Sequence, residues 1–507
     1  MNFSQMMNVI LSSEVYKINS DQRKKIRDTY EFLLSFAENK VIYGINTGFG
    51  PMAQYKIPQP ELKNLQYRLV RSHASGTGNV LDEEQVRATL ICRLNTLSLA
   101  KSGVSPEVIE VLENFLNEKI YPEIYQHGGV GASGDLVQLA HLALGLIGEG
   151  YAYHQGKRYK TAELLALKNV KPLDLKLRDG LALINGTSCM SGIALLNIWK
   201  AKNLIDWSVK VSAMINELIS SYDDSFSAEL NAAKEHEGQR QVALQMRVFL
   251  KDSQLIKKRE EHLFVSDEIA TDKFQEKVQE YYSIRCVPQI VGPIMDTLNY
   301  AEQVVVNEVN SANDNPITDL ESNNVYHGGN FHGDYVAFEM DKIKIGITKL
   351  SMLMERQLNY LLNAKLNEKF PPFLNKGVLG LNFGLQGMQF TATSTTAENQ
   401  TLSNPMYIHS IPCNNDNQDI VSMGTNSALL AARVIENAFQ VLSVELIAVA
   451  QAIDIADCKT KIGLESKKIF DVISNLAKGI DADEPGFEKI ARVQAYLNEG
   501  LKKINTN

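Results

Sequence analysis

The placement of proline constrains this 507-residue chain more than any other feature, because a proline inside a helix costs about 3 kcal/mol. None occurs between Pro172 and Pro288, between Pro316 and Pro371, or between Pro412 and Pro485. Long helices belong in those gaps. In the second gap Val336, Met340, Ile343, Ile347, Leu350, Met354, Leu358 and Leu361 recur at spacings of four and three. In the third, Ala428, Ala432, Ile435, Phe439, Leu442, Leu446, Val449 and Ile453 do the same. An apolar period of about 3.5 residues held over several heptads predicts near-parallel helices packed as a bundle or coiled coil. Residues 1–190 carry denser Gly/Pro punctuation and shorter apolar runs, as in 41–52 and 123–135, which fits loops on shorter helices with a few short strands. The prediction is a mostly α fold: an N-terminal loop-rich domain over 1–200, then a helical bundle and C-terminal helices over 201–507.

Composition narrows the class. Hydrophobic residues make up 44% and charged residues 22%, as in ordinary soluble domains. With 51 Lys+Arg against 59 Asp+Glu the net charge is −8, and no basic face stands out, so neither nucleic acid nor an anionic membrane is expected as a partner. The first residues show no basic segment leading into an apolar run. The greasiest stretch, 429–453, carries Arg433, Glu436 and Glu445. A cytoplasmic protein is expected. The five cysteines are scattered without a C-x-x-C pair and read as reduced thiols, while His327 and His332 have the wrong interval for a HExxH-type metal pair, so no metal is expected.

The densest glycine cluster, Gly128-Gly129-Val130-Gly131-Ala132-Ser133-Gly134-Asp135, precedes an apolar, helix-like run. It lacks the lysine of a phosphate-binding loop, and Asp135 stands where a nucleophile elbow needs glycine. A glycine-rich turn into a capped helix is one reading. Another is chemical. In a tight turn the Gly134 nitrogen can attack the Ala132 carbonyl carbon, unhindered by a Cβ. Loss of water closes a five-membered ring, and dehydration of Ser133 leaves 4-methylideneimidazol-5-one (MIO). Ordinary side chains offer no comparable carbon electrophile.

Ala132-Ser133-Gly134-Asp135-Leu136 resembles the signature of the aromatic amino acid ammonia-lyases, which act on histidine, phenylalanine or tyrosine, and of the related aminomutases. Four further blocks agree in order and spacing: 43–50 (YGINTGFG), 185–187 (NGT), 282–285 (YSIR) and 310–316 (NSANDNP). One departure is Gln138, where many members have proline. The resemblance implies a fumarase/aspartase-like helical bundle, a self-made MIO from Ala132, Ser133 and Gly134 with no external cofactor, and a homotetramer with shared active sites. It also implies roles. Tyr43 would take the β-proton, for which a phenol, with a reference pKa of about 10, must be partly ionised. Arg285 would clamp the substrate carboxylate, for which a planar fork is suited. Asn185 and Tyr282 would sit around the ring carbonyl and substrate amine. Phe331 would pack beside the electrophile and Asn313 near the carboxylate.

Two positions bear on the substrate. Ser72-His73 is similar to the Ser-His pair of histidine ammonia-lyases, where phenylalanine enzymes present an apolar pair. Asn414-Asn415-Asp416-Asn417-Gln418-Asp419 instead has glutamine at Gln418, where histidine enzymes carry a glutamate for the imidazole; Asn414 and Gln418 are implied substrate-binding residues. A histidine without that carboxylate suits a phenol, because its ring can donate or accept. The expectation is tyrosine ammonia-lyase, releasing trans-p-coumarate. Histidine ammonia-lyase is the main alternative; phenylalanine ammonia-lyase, tyrosine 2,3-aminomutase and a non-catalytic scaffold are the others.

Overall fold

The computed structural model describes residues 1–12, 15–264, 274, 277–478 and 483–499. The fold is mostly α, at 61% helix. Two compact units emerge, each assembled from three stretches: 1–198, 301–341 and 405–432 in the first, and 199–300, 342–404 and 433–507 in the second. Four long helices, Ser188–Leu218, Val287–Val309, Asp334–Leu362 and Gly424–Ile455, supply residues to both.

The first unit carries the glycine cluster. Its strands are short: Thr77–Val80 pairs antiparallel with Tyr125–His127, Tyr151–His154 lies between Tyr121–Pro122 and Lys157–Lys160, and Ile317–Asp319 pairs with Asn324–Tyr326. The cluster therefore runs from the end of a strand, Tyr125–His127, to the start of a helix, Leu136–Leu146. That helix packs against Leu62–His73 and Asp179–Ile184, which pack on each other. Glu83–Ser98 is buried continuously from Val86 to Ser98 and starts in a reciprocal cap, Asp82 and Gln85 each accepting the other's amide at 2.8 and 3.1 Å.

Both heptad runs lie on long helices, and every member except the half-buried Ala432 is at most 3% exposed. The apolar window of Gly424–Ile455 is 83% buried inside the protein, so its greasiness is that of a core helix. The proline map missed one element. Val287–Val309 is a 23-residue helix with Pro288 in its first turn and Pro293 inside. In the second unit Gly292 approaches Gly238 and Gln239 so closely that a Cβ on Gly292 would stand 2.5 Å from the Gln239 nitrogen. Such packing offsets the lost hydrogen bond, and tertiary contact overrides the intrinsic penalty.

Glu445 is fully buried in the second unit, and neither carboxyl oxygen has a hydrogen-bond partner. Burial pushes its pKa well above the ordinary carboxylate range. A raised folded-state value contributes stability below the unfolded pKa of about 4.3, and that contribution is lost as pH rises through the folded value. Glu445→Gln removes the titration and keeps the shape. As pH is raised from about 5 to about 9 the wild type is expected to lose stability steadily relative to this variant. Thermal melts of both proteins across that range check it; a constant gap refutes it.

Candidate active site

Residues 130–135 are held by segments at the starts of three long helices, all within the first unit. Met423 donates its amide to the Val130 carbonyl at 2.9 Å, and Gly333 to that of Gly131 at 3.1 Å. The fully buried Asp135 accepts the Cys189 and Met190 amides, both at 2.8 Å, and the Thr425 hydroxyl. Burial lifts the Asp135 carboxyl to about 6, against the lowering effect of these donors and of Arg93. Donors from first helical turns suit an anion. The loop is thus tied down at both ends.

Its middle runs beside Asn185-Gly186. Gly134 bridges to Gly186 in parallel, and the Asp135 amide donates to the Gly186 carbonyl at 2.7 Å. Gly134 has φ +70°, and a Cβ there would lie 2.0 Å from the Gly186 oxygen, so only glycine fits. The Ser133 carbonyl accepts two donors, the Asn185 side-chain amide at 3.3 Å and the Gly186 backbone amide at 3.4 Å. Gln418 Nε2 donates to Ser133 Oγ at 3.0 Å. Asn185 Oδ1 and Asn313 Oδ1 are buried without partners. A tight turn with donors on its central carbonyl and hydroxyl fits ring closure and dehydration at 132–134. Gln138, the departure from the family pattern, donates to the Gln126 carbonyl at 3.0 Å, and its Oε1 would lie 2.4 Å from a Cβ on Gly129, so its side chain is turned to the start of the glycine cluster.

Ser133 opens into a cavity of about 300 Å³. The cavity gathers seven of the sequence-derived residues: Tyr43, Ser72, His73, Ser133, Asn185, Asn414 and Gln418. Tyr43 is oriented by the Gly50 amide, which donates to its hydroxyl oxygen at 3.0 Å, and by an edge contact with Phe49. Gly44 and Gly50 both have positive φ, so the loop wraps the phenol with turns that side chains disfavour. His73 lies in the last turn of Leu62–His73, its Nδ1 3.0 Å from both the Leu69 carbonyl and Ser72 Oγ. A carbonyl can only accept, so Nδ1 carries the proton and Nε2 of the neutral ring is left as an acceptor. Asn414, Asn415 and Asp416 form a left-handed turn that brings Gln418 back to pair with Cys413.

The remaining residues fall elsewhere. Asn313 lies behind Gly186, its Oδ1 2.5 Å from where a Cβ would be. Half-buried Phe331 is next to His332 and Gly333, which contact the Gly131 carbonyl. Neither lines the cavity. Tyr282 and Arg285 belong to the second unit: Tyr282 is 70% exposed beneath the Arg285 guanidinium, and Arg285 lines a separate cavity of that unit with Cys286 and Arg259. Sequence reasoning missed Leu65, Arg68 and Leu69, although their i, i+3, i+4 spacing with Ser72 at i+7 marks one helix face. It gave no role to Phe49, although that residue lies in the 43–50 block, and it missed Arg93, Leu181 and Ile184, which carry no motif of their own.

Residues 1–475 match the family described as aromatic amino acid lyase. Among curated relatives, the MIO-dependent tyrosine 2,3-aminomutase of Streptomyces globisporus is 39% identical over 94% of this chain and 89% of its own length. Histidine ammonia-lyase of Geobacillus kaustophilus is 38% identical, covering 92% and 89%. Tyrosine ammonia-lyase of Cupriavidus metallidurans is also 38% identical, covering 92% and 88%. The crystal structure of the tyrosine aminomutase from Streptomyces globisporus superposes with a TM-score of 0.95 at 36% identity, over 99% of this chain and 96% of that one. With a family match across nearly its whole length, and that family's signature at 132–136 folded into a tight, donor-lined loop, the chain belongs to the aromatic amino acid lyases, a family of ammonia-lyases and aminomutases.

Proposed function

We propose that the protein converts L-tyrosine to trans-p-coumarate and ammonia, at an MIO formed from Ala132, Ser133 and Gly134. When present, the ring supplies a carbon electrophile for the substrate. Tyr43 takes the β-proton at its hydroxyl oxygen, which the Gly50 amide holds in place. Asn185 and Gly186 donate to the Ser133 carbonyl oxygen and favour negative charge there. Leu65, Leu69, Leu136 and Leu181 flank the aromatic ring and exclude water.

One observation carries the choice of substrate: among the described residues lining the cavity there is no Asp or Glu, whereas His73 and Arg68 both line it. An imidazole substrate would find no carboxylate partner. A phenol would donate to His73 Nε2, whose tautomer is set by the Leu69 carbonyl. With phenylalanine that nitrogen would go unpaired, at a cost of about 1–3 kcal/mol. His73→Phe is therefore expected to move preference from tyrosine toward phenylalanine by about ten- to a hundredfold in kcat/KM. Release of coumarate, cinnamate and urocanate from the three amino acids measures it. Unchanged tyrosine selectivity in the variant, or urocanate as the main product of the wild type, overturns the assignment.

The likeness to tyrosine 2,3-aminomutases favours a second reading, in which the same tyrosine site returns β-tyrosine. Chiral chromatography of the products separates the two. We also propose a homotetramer in which Tyr282 and Arg285 serve the Ser133 cavity of a neighbouring subunit. The proposal is supported by Arg285 lining a cavity other than that of Ser133. Light scattering showing a single-chain mass for active enzyme would refute it.

A further inference from the structure

Arg93 is fully buried and has no carboxylate of its own. Asp314 is held in a two-pronged pair by Arg178, both bonds at 3.0 Å, and Asp135 is occupied by Cys189, Met190 and Thr425. The Arg93 Nε and Nη2 atoms make no hydrogen bond. Asp135 and Asp314 act on the Arg93 charge only through space, and a buried cation without a hydrogen-bonded carboxylate is expensive where a neutral donor would fill the space at lower cost. The one strong bond it makes is from Nη1 to the Asn185 carbonyl at 3.0 Å, with Ser188 Oγ further off at 3.4 Å.

That carbonyl belongs to the peptide joining Asn185 to Gly186, whose N–H points at the Ser133 carbonyl oxygen. A cation on the oxygen of a peptide polarises it and makes its N–H a stronger donor. The same contact fixes Asn185, whose side chain is the second donor to that oxygen. Gly186 has φ +140°, and a Cβ on it would lie 2.4 Å from Arg93 Nη1, so the approach requires glycine.

We propose that Arg93 is a positioning residue for maturation of the loop: through the Asn185–Gly186 peptide it strengthens the pair of donors that hold negative charge on the Ser133 carbonyl oxygen while Ser133 loses water. In that step the Ser133 Cα–H bond breaks and its electron pair forms the Cα–Cβ double bond as the Cβ–Oγ bond breaks. The proton, passed to solvent, and the departing hydroxide together make one water. In the transition state charge spreads from Cα onto the carbonyl oxygen. Gln418 Nε2 assists departure by donating to Oγ.

The inference rests on ring formation at 132–134, and intact mass separates the two. Wild-type, Arg93→Lys and Arg93→Gln chains are made by cell-free synthesis, and the fraction lighter by two waters is followed with time. Arg93→Gln is expected to mature about tenfold more slowly than wild type, less than the loss from removing a direct oxyanion donor because the effect is relayed. Arg93→Lys, which keeps a cation, is expected to lie between them. A Gln chain that folds and matures at the wild-type rate overturns the proposal, as do equal delays in the Lys and Gln chains. A wild type that never loses water overturns the proposed function instead.

Should the Gln chain fail to fold, the ratio of Arg93→Lys to wild-type maturation is read between about pH 6 and pH 9. A buried lysine titrates far below arginine, so the ratio is expected to fall as pH rises. The titratable and charged groups facing residue 93 are Asp135, Asp314, Cys92 and Arg178, and all four are present in both chains. A flat ratio overturns the proposal.

Discussion

Ser133→Ala is expected to give a folded protein that never reaches the two-water mass deficit and whose turnover falls by at least about a thousandfold. Alanine has no hydroxyl to expel, so no methylidene can form. The fold should survive, because the hydroxyl accepts a single part-buried bond from Gln418, worth about 1 kcal/mol. The loop is otherwise held through backbone atoms and Asp135. Circular dichroism, intact mass and ammonia release together check this. A variant that releases ammonia as fast as wild type would remove the electrophile from the mechanism.

Tyr43→Phe is expected to separate chemistry from maturation. The ring should still form, since the hydrogen bonds that hold Ser133 come from Asn185, Gly186 and Gln418, while the Tyr43 hydroxyl accepts from Gly50. The substrate should still bind, because the phenyl ring keeps its edge contact with Phe49. Without a proton acceptor at that oxygen, kcat should drop by about 10²–10⁴-fold with KM little changed. Stopped assays with β-deuterated tyrosine sharpen the test: proton removal, if limiting in the variant, gives a larger isotope effect than in wild type. Loss of the two-water deficit, or wild-type kcat, would exclude Tyr43 as the base.

Much of the scaffold was readable beforehand. The heptad runs at 336–361 and 428–453 became core helices because an unbroken apolar stripe has no other stable arrangement in water. The helix Val287–Val309 was hidden by Pro293, whose local penalty is outweighed by a close approach to Gly238 that is distant in sequence. The glycine cluster could be singled out as a candidate site because the residues of the family signature are adjacent in the chain.

What a local string of residues determines by itself is therefore the Ala132-Ser133-Gly134 signature proposed to cyclise, the tyrosine in its glycine-flanked loop, and the periodic helices. Tertiary structure alone decided which atoms press on that tripeptide. The Asn185 and Gly186 donors, the Arg93 cation behind them, the helix starts around Asp135 and the contact of Gln418 with Ser133 come from segments up to 290 residues apart. Hydrogen bonding and burial act over a few ångströms in space, and sequence patterns report only neighbours along the chain. The same limit governs His73: its position was visible, but the tautomer on which the proposed phenol contact rests depends on the Leu69 carbonyl, which only the folded helix end brings to Nδ1.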